Sequence, residues 1–238
     1  MAVPLLGPAI AAANSQATPE PPEVRQIVTF SFLPGRTEEA IRVYENDLRP
    51  IYAATPALRR FRGYREAESP EPLDLVVASS YGGMEGMDRA NESLRRPLPS
   101  RPSALSLYGS LSAMTRTHHD QFVEIIAPLS DTATTETGLV VFEYLRIAPG
   151  AHGGFEGLLA EWVRGFERER HLADWSETGR MLVSDGWDYL RIFGIRSLAD
   201  WHRYRTETRE AAFAGKLQDI IAARKTMILR NLPSVAVR

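Results

Sequence analysis

The chain carries one succession of sequence features twice, about 115 residues apart. A strand-like run, a Pro-Gly turn and an amphipathic helix follow one another over residues 27–50 and again over residues 142–165. The turn dipeptides are Pro34-Gly35 and Pro149-Gly150. The next strand-like run, residues 73–81, has its counterpart at residues 187–195 at nearly the same offset. Self-similarity of this kind predicts two units of similar structure.

Each unit is predicted to run strand, helix, strand, strand, helix, strand. Apolar residues spaced by three and four positions indicate helices at residues 36–52 and 151–169. The predicted strands are residues 26–32, 63–68, 73–81 and 121–127 in the first unit and 139–147, 180–184, 187–195 and 226–232 in the second. A β-α-β-β-α-β unit is a ferredoxin-like fold, with both helices on one face of an antiparallel sheet. The predicted class is therefore α+β.

The two units, predicted as residues 24–130 and 138–238, are not interchangeable. Three prolines, Pro97, Pro99 and Pro102, interrupt the first unit after its second helix. A new apolar helix is predicted after them at residues 103–115, so the first unit carries a helical insertion near residues 95–117.

Composition narrows the functional classes. A net charge of −2 and a sequence pI near 6.2 provide no basic surface for nucleic acid. The absence of cysteine excludes disulfides, thiolate zinc sites and a cysteine nucleophile. The chain also lacks the glycine-rich nucleotide motifs, the serine-hydrolase elbow and the H-E-x-x-H zinc motif. We predict no metal site and no nucleic-acid partner.

Residues 1–23 differ from the rest of the chain. An apolar, alanine-rich stretch is followed by small residues and a proline-rich linker, which is the order found in a secretory signal, although the usual basic start is missing. The stretch is too short to span a bilayer, so no membrane span is predicted. The two interpretations are an export signal, which would make the protein periplasmic or secreted, and a disordered tail on a cytoplasmic protein.

The sequence resembles the dimeric α/β-barrel superfamily, which includes stress-responsive barrel proteins, NIPSNAP-like proteins and antibiotic-biosynthesis monooxygenases. The resemblance rests on the openings Phe-Leu-Pro-Gly from Phe32 and Ile-Ala-Pro-Gly from Ile147, and on the strand-to-helix runs at residues 73–88 and 187–202. It implies two tandem ferredoxin-like units packed sheet to sheet as a single-chain pseudo-dimeric barrel. It further implies a small apolar or aromatic ligand between helices and sheet, in a monomer or homodimer.

The segment His118-His119-Asp120 is the main candidate for catalysis. If the last strand of the first unit begins this early, His118, Asp120 and Glu124 project to one face while His119 projects to the other. A histidine beside a carboxylate can act as a general base with an orienting partner. The alternative is a solvated loop before the strand.

Aromatic residues predict the ligand pocket. All four tryptophans lie in the second unit, and Trp162 and Trp201 fall on core-facing helix positions. With Tyr44 and Tyr189 they are the predicted pocket residues; the alternative is that the tryptophans only fill a core. Arg191 is a further predicted pocket residue and is expected to face the barrel interior. There it would either bind an anionic group of the ligand or form a structural ion pair with a carboxylate such as Glu143 or Glu124.

The resemblance suggests three functions. The first is a cofactor-free monooxygenase, cyclase or isomerase that uses a histidine base. The second is a non-catalytic, exported ligand-binding or stress-related barrel protein. The third is a haem-binding or haem-degrading protein, which is disfavoured because no histidine lies at the corresponding stretches 91–96 and 206–212, with His202 the nearest in the second unit. No cofactor is predicted.

Overall fold

Eight antiparallel strands form a closed barrel in a computed structural model that describes residues 20–96, 102–130, 137–211 and 214–237. The predicted signal or tail therefore lies almost entirely outside the described residues, as does part of the proline-rich tract. The strands are β1 (Glu23–Phe32), β2 (Leu58–Glu68), β3 (Leu75–Gly82), β4 (Thr115–Ile125), β5 (Leu139–Ile147), β6 (Trp175–Val183), β7 (Tyr189–Ile195) and β8 (Ile221–Asn231).

The strand order around the barrel is β1-β3-β2-β8-β5-β7-β6-β4. The first half of the molecule (residues 20–130) supplies the run β4-β1-β3-β2, and the second half (residues 137–237) supplies β8-β5-β7-β6. Two ladders join the halves, β2 with β8 and β4 with β6. The predicted α+β class is confirmed, and hydrogen bonds between the two runs of strands at both ends close them into one barrel.

Helices cover the outside of the barrel. Residues 37–53 form one continuous helical segment whose middle, Val43–Leu48, is π-helical, and residues 152–167 form another that ends in the π-helical segment Val163–Glu167. The α-helices are α1 (Thr37–Arg42), α2 (Arg49–Ala53), α3 (Gly83–Arg95), α4 (Ala104–Met114), α5 (His152–Trp162), α6 (Leu198–Glu210) and α7 (Ala214–Ile220). In the part of the chain described above, none of these helices has the length and hydropathy needed to cross a bilayer.

The positive φ of the turn glycines explains the repeated Pro-Gly signal. Gly35 has φ of 75° and Gly150 has φ of 82°, a region that strains residues with a Cβ. Each turn is fixed by a carboxylate of the following strand region: Asp74 Oδ2 accepts from the Phe32 N–H at 2.7 Å, and Asp188 Oδ2 accepts from the Ile147 N–H at 2.7 Å. The two chain openings are therefore built alike.

Side chains alternate between the inner and outer faces of each strand, and this alternation separates one core inside the barrel from two cores outside it. In an eight-stranded barrel, inward side chains fill the lumen. The interior core consists of Ile27, Tyr64, Val76, Ala78, Val123, Val140, Phe142, Tyr144, Leu190, Ile192, Met227 and Leu229. The opposite strand faces pack against the helices, in one core for the first half and another for the second.

The expected orientation of β7 was wrong. Leu190 and Ile192 point into the barrel, while Arg191 points outward to the helices of the second half. Both faces of this strand are fully buried, so the contrast in polarity between them does not report which one faces the lumen. The predicted partner Glu143 is confirmed, because its Oε2 lies 3.1 Å from Arg191 Nη1.

One end of the lumen holds a buried ion pair. Arg25 Nη1 lies 2.5 Å from Glu177 Oε2, and Arg60 Nη1 lies 3.3 Å from Glu177 Oε1. Burial by itself would raise the pKa of Glu177, but the charges of Arg25 and Arg60 and their hydrogen bonds hold it below its usual range. The two arginines therefore favour the ionised form of Glu177 in the folded protein.

Candidate functional site

A cavity of about 360 Å³ lies between the helices and the sheet of the first half; we name it the first cavity. This volume is within the usual range for small-molecule sites, roughly 300–1,000 Å³. Most of its walls are aromatic or aliphatic. Its lining residues are Gln26, Val28, Phe30, Tyr44, Tyr52, Phe61, Val77, Ser79, Tyr81, Asn91, Leu94, Tyr108, Leu111, Ser112, Thr115, His118 and Asp120.

His118 and Asp120 both line the first cavity because β4 begins at Thr115 and so includes them. Their side chains are two residues apart and share one strand face. His118 Nε2 lies 3.5 Å from Asp120 Oδ2, which is a long contact. The other carboxylate oxygen, Oδ1, accepts a hydrogen bond of 2.8 Å from the Gln26 amide. Gln26 in turn lies 3.5 Å from the Tyr81 hydroxyl, so a polar chain leads from the cavity wall to the imidazole.

The His118 ring is placed by an aromatic neighbour. It stacks on Phe30 with centroids 6.1 Å apart and an interplanar angle of 24°. About 58% of the His118 side chain and 39% of the Asp120 side chain remain exposed, so both groups stand at the mouth of the cavity. A ligand in the mouth could therefore contact the imidazole without a change in the barrel.

Tyrosine hydroxyls provide the polar groups deeper in the first cavity. The Tyr52 and Tyr108 hydroxyl oxygens are 2.5 Å apart, and Tyr44 stacks on Phe61 with centroids 6.1 Å apart. Burial raises the pKa of Tyr44 and Tyr52 well above the ordinary value and also raises that of Tyr108. These hydroxyls therefore stay protonated at neutral pH and can donate to an oxygen of a ligand.

His119 is on the opposite face of β4 and does not join this group. It lines a separate cavity at one end of the barrel, the barrel-end cavity, together with Gln121, Tyr144 and Trp187. Its Nδ1 lies 3.8 Å from Asp185 Oδ2, and both side chains are more than half exposed. The three residues predicted for catalysis are thus divided between two cavities, with His118 and Asp120 together and His119 apart.

A second cavity of about 470 Å³ lies between the helices and the sheet of the second half. Trp162 and Trp201 line it, whereas Tyr44 lies in the first cavity. Its lining residues are Glu68, Ser69, Pro70, Glu143, Trp162, Trp201, Tyr204, Arg205, Thr208, Arg209, Ala214, Leu217, Gln218, Arg224, Thr226 and Ile228. The predicted pocket residues therefore do not form one site.

Arg191 is buried beneath the second cavity in an ion network. Its Nη2 lies 2.5 Å from Glu167 Oε1, and its Nη1 donates to the Tyr204 hydroxyl at 3.0 Å. The guanidinium also lies 4.2 Å from the centroid of the Trp162 ring. Tyr189, the other predicted pocket residue on this strand, instead donates to Glu156 at 2.9 Å, away from the residues that line the cavity.

The two cavities use corresponding strand positions for different chemistry. His118 is paired with Phe30 between β1 and β4, and Arg224 is paired with Leu145 between β5 and β8. Phe30 and Leu145, which are 115 residues apart, are thus paired with a histidine in one cavity and an arginine in the other. By the same registers, Asp120 opposite Val28 corresponds to Thr226 opposite Glu143.

Sequence reasoning missed several residues of both cavities. Tyr52 belongs to the predicted first helix and Tyr108 to the predicted insertion helix, but nothing local indicates that they meet. The position of Gln26 beside Asp120 can be predicted only if the register between β1 and β4 is known. Among the described residues, no cluster of three His, Cys, Asp or Glu side chains could hold a metal around His118 and Asp120.

The second cavity does not fit haem ligation. None of the five histidines of the chain is among its lining residues. His202 is exposed on α6, and His171 is exposed in a turn with φ of 50°. The one buried phenol there, Tyr204, donates to Glu167 at 2.5 Å. A histidine ligand, the usual axial group of a haem protein, is therefore missing from this cavity.

No family model and no curated protein matches the chain, but solved structures match most of its length. A Lactobacillus acidophilus protein assigned provisionally as a monooxygenase is 7% identical with a TM-score of 0.64, over 88% of this chain and 94% of that one. An anthrone oxidase-like protein is 11% identical with a TM-score of 0.57, over 90% of this chain and 92% of that one. A heme-binding protein from Thermus thermophilus is 12% identical with a TM-score of 0.57, over 91% of this chain and 96% of that one. The chain therefore shares the α+β barrel fold of these proteins.

Proposed function

We propose that the first cavity binds a flat, largely apolar aromatic molecule that carries ring oxygens, such as a phenolic or anthrone-like compound, and that His118 acts on it as a general base. The observation that carries the proposal is the convergence of His118, its partner Asp120 and protonated tyrosine hydroxyls on one aromatic cavity. Fold similarity to a provisional monooxygenase and an anthrone oxidase-like protein supports this class of ligand.

The proposed chemistry begins with proton transfer. His118 accepts a proton from an acidic C–H or phenolic O–H of the ligand, and Asp120 stabilises the imidazolium that forms. A tyrosine hydroxyl, from Tyr44 or the Tyr52–Tyr108 pair, donates to the ring oxygen on which negative charge develops. The electron-rich anion then reduces dioxygen, the co-substrate. For an anthrone, one oxygen atom enters the ring carbon as a carbonyl, two hydrogens leave, and the other oxygen atom is released as water.

Two further activities use the same groups. In a cyclisation or isomerisation, His118 would return the proton to another atom of the ligand, and no oxidant is needed. In the non-catalytic alternative, the cavity holds the ligand and His118 only contributes to binding. Separating these activities requires measuring binding and turnover on the same compound.

We also propose that the barrel is a tandem pseudo-dimer, two ferredoxin-like units in one chain. The run β4-β1-β3-β2 has the same connectivity as β8-β5-β7-β6. The two turn carboxylates add support, because Asp74 and Asp188 are 114 residues apart and each accepts from the backbone N–H at the end of the preceding strand at 2.7 Å.

The test uses dithranol, a hydroxylated anthrone, with the whole chain. We expect oxygen uptake and formation of the quinone above the rate in buffer, with a decrease of about 10²–10⁴-fold in the variant His118→Ala. The matched control is His119→Ala, since this histidine is next in sequence but faces another cavity.

Each outcome separates the hypotheses. Binding without turnover would support the non-catalytic alternative, and absence of binding would overturn the proposal. Turnover that is equally sensitive to both histidine variants would remove His118 as the base. Uptake of added haem with a Soret band lost in His118→Ala would favour a haem protein instead.

A further inference from the structure

The second cavity has a cationic rim that the proposed function does not use. Arg205 and Arg209, one helical turn apart on α6, line it, and neither has a carboxylate within ion-pair distance among the described residues. Arg224, on β8, also lines the cavity but pairs with Glu143 at 3.3 Å. Arg205 and Arg209 can therefore form ion pairs with a bound ligand.

The charges beneath the rim are balanced. Arg191 and Arg224 carry two positive charges, and Glu143 and Glu167 carry two negative charges, all within one ion network. Of the remaining lining residues, only Glu68 carries a negative charge that offsets the two free arginines. The cavity therefore has an excess of positive charge at its mouth, which favours an anionic ligand.

The interior of the second cavity is apolar and aromatic. Trp162 is fully buried, and Leu217 and Ile228 stand with it in the wall. Trp201 stacks on Tyr204 with centroids 5.5 Å apart, and the Arg205 guanidinium lies 5.8 Å from the centroid of the Trp201 ring. Such walls suit a flat hydrocarbon ring, which gains from leaving water and from contact with other rings.

A buried hydroxyl adds a specific polar group. Thr208 lies on the same face of α6 as Trp201, Tyr204 and Arg205 and is only 9% exposed. Its Oγ1 is enclosed and has no hydrogen-bond partner among the described residues. An unsatisfied buried hydroxyl is unfavourable. Rotation of the Thr208 side chain would turn the hydroxyl toward the cavity that this residue lines, where a ligand oxygen could accept from it.

We propose that the second cavity is a binding site for a small aromatic carboxylate. The ring would lie against Trp162 and Trp201. The carboxylate would face Arg205 and Arg209, whose planar guanidinium groups match its two oxygens, and would accept from Thr208. This site is separate from the first cavity and does not depend on its proposed activity.

The test compares benzoate with benzamide, its neutral counterpart of nearly the same shape, by titration calorimetry on the whole chain. We expect benzoate to bind at least tenfold more tightly. Tryptophan emission should change with benzoate, because Trp162 and Trp201 line this cavity and no tryptophan lines the first one. Trp187→Phe removes the tryptophan of the barrel-end cavity and should leave that change in place.

Charge removal locates the site. The double variant Arg205→Gln/Arg209→Gln should bind benzoate at least tenfold more weakly and bind benzamide as the natural chain does. The control is Arg203→Gln on the same helix, whose side chain pairs with Asp200 at 3.7 Å and does not line the cavity. Saturating dithranol should leave the benzoate affinity unchanged, which keeps the two cavities distinguishable.

Three results would overturn this assignment: equal binding of benzoate and benzamide by the natural chain, an equal loss in Arg203→Gln, or no benzoate binding at millimolar concentration. The first and third do not depend on any variant. Failure of dithranol to bind or react would contradict the proposed function only and would leave the carboxylate site standing.

Discussion

Gln26 and Asp120 are joined by a hydrogen bond of 2.8 Å between β1 and β4, although 94 residues separate them in the chain. The bond holds one carboxylate oxygen of Asp120, while the other faces His118 at 3.5 Å. Gln26 therefore acts on the imidazole only through Asp120. It is a positioning residue for the proposed base.

Gln26→Leu should reduce the proposed turnover of dithranol about tenfold through kcat, with little change in KM, because it removes the hydrogen bond that positions the Asp120 carboxylate and keeps a side chain of similar size in the cavity wall. The free energy of unfolding should fall by about 1–2 kcal/mol, since an exposed hydrogen bond to Asp120 and a long one from Tyr81 are lost. Steady-state kinetics and urea unfolding provide the two measurements. A change in KM with kcat preserved would show that Gln26 contacts the ligand rather than positioning Asp120.

Arg191→Met should destabilise the fold by about 3–5 kcal/mol, because it leaves the buried carboxylate of Glu167 without its partner. The double variant Arg191→Met/Glu167→Gln should recover at least about 1 kcal/mol, since the uncompensated charge is then gone. Urea unfolding measures the free energies of unfolding of the single and the double variant.

The matched control for Arg191 is Arg196→Met. Arg196 follows the same strand but is exposed and pairs with Asp174 at 3.3 Å, so its loss should cost at most about 1 kcal/mol. Equal losses at Arg191 and Arg196 would contradict the view that burial gives the network its importance.

The arrangement of elements was predictable where local patterns were strong. The Pro-Gly turns, the strand β5 and the helix inserted after the prolines all occur as predicted, because turn chemistry and apolar spacing act over a few residues. β4 begins six residues before its predicted start at residue 121, because the polar segment that includes His118 and Asp120 is held by pairing with β1.

The site was less predictable because it depends on register and on which strand face meets the helices. Strand alternation correctly separated His118 from His119. It could not place Arg191, since the alternate residues of β7 are buried on both sides. Nor could it bring Tyr52 to Tyr108, which meet only when the inserted helix α4 packs over the first helical segment.

Acid stability should depend on Glu177. Arg25 and Arg60 hold the folded pKa of this carboxyl below its ordinary value of 4.5, so its contribution to stability is present above that pH and is lost as pH falls through the folded pKa. Glu177→Gln should therefore reduce the slope of unfolding free energy against pH in this acid range. The control Glu85→Gln, at a 94% exposed side chain, should keep the slope of the natural chain. An unchanged slope in Glu177→Gln would contradict the proposed linkage.

Alkaline stability should depend on the tyrosines. Burial is the largest cause of the raised pKa at each of the eight tyrosines of the chain. It raises the pKa values of Tyr64, Tyr81 and Tyr189 to about 12. A tyrosine in the unfolded chain titrates near pH 10, so the unfolded chain releases its phenolic protons at a lower pH than the folded chain. The stability that these phenols contribute is therefore fully present below about pH 10 and is lost as the pH rises through about 12. After a rapid jump to a pH between these values, phenolate absorbance should stay low and then grow at the rate at which near-ultraviolet circular dichroism is lost. In urea the same absorbance should appear at once near pH 10. Immediate ionisation of most tyrosines while the dichroism persists would show that the hydroxyls of the first cavity are open to solvent, and would remove the protonated donors on which the proposed chemistry depends.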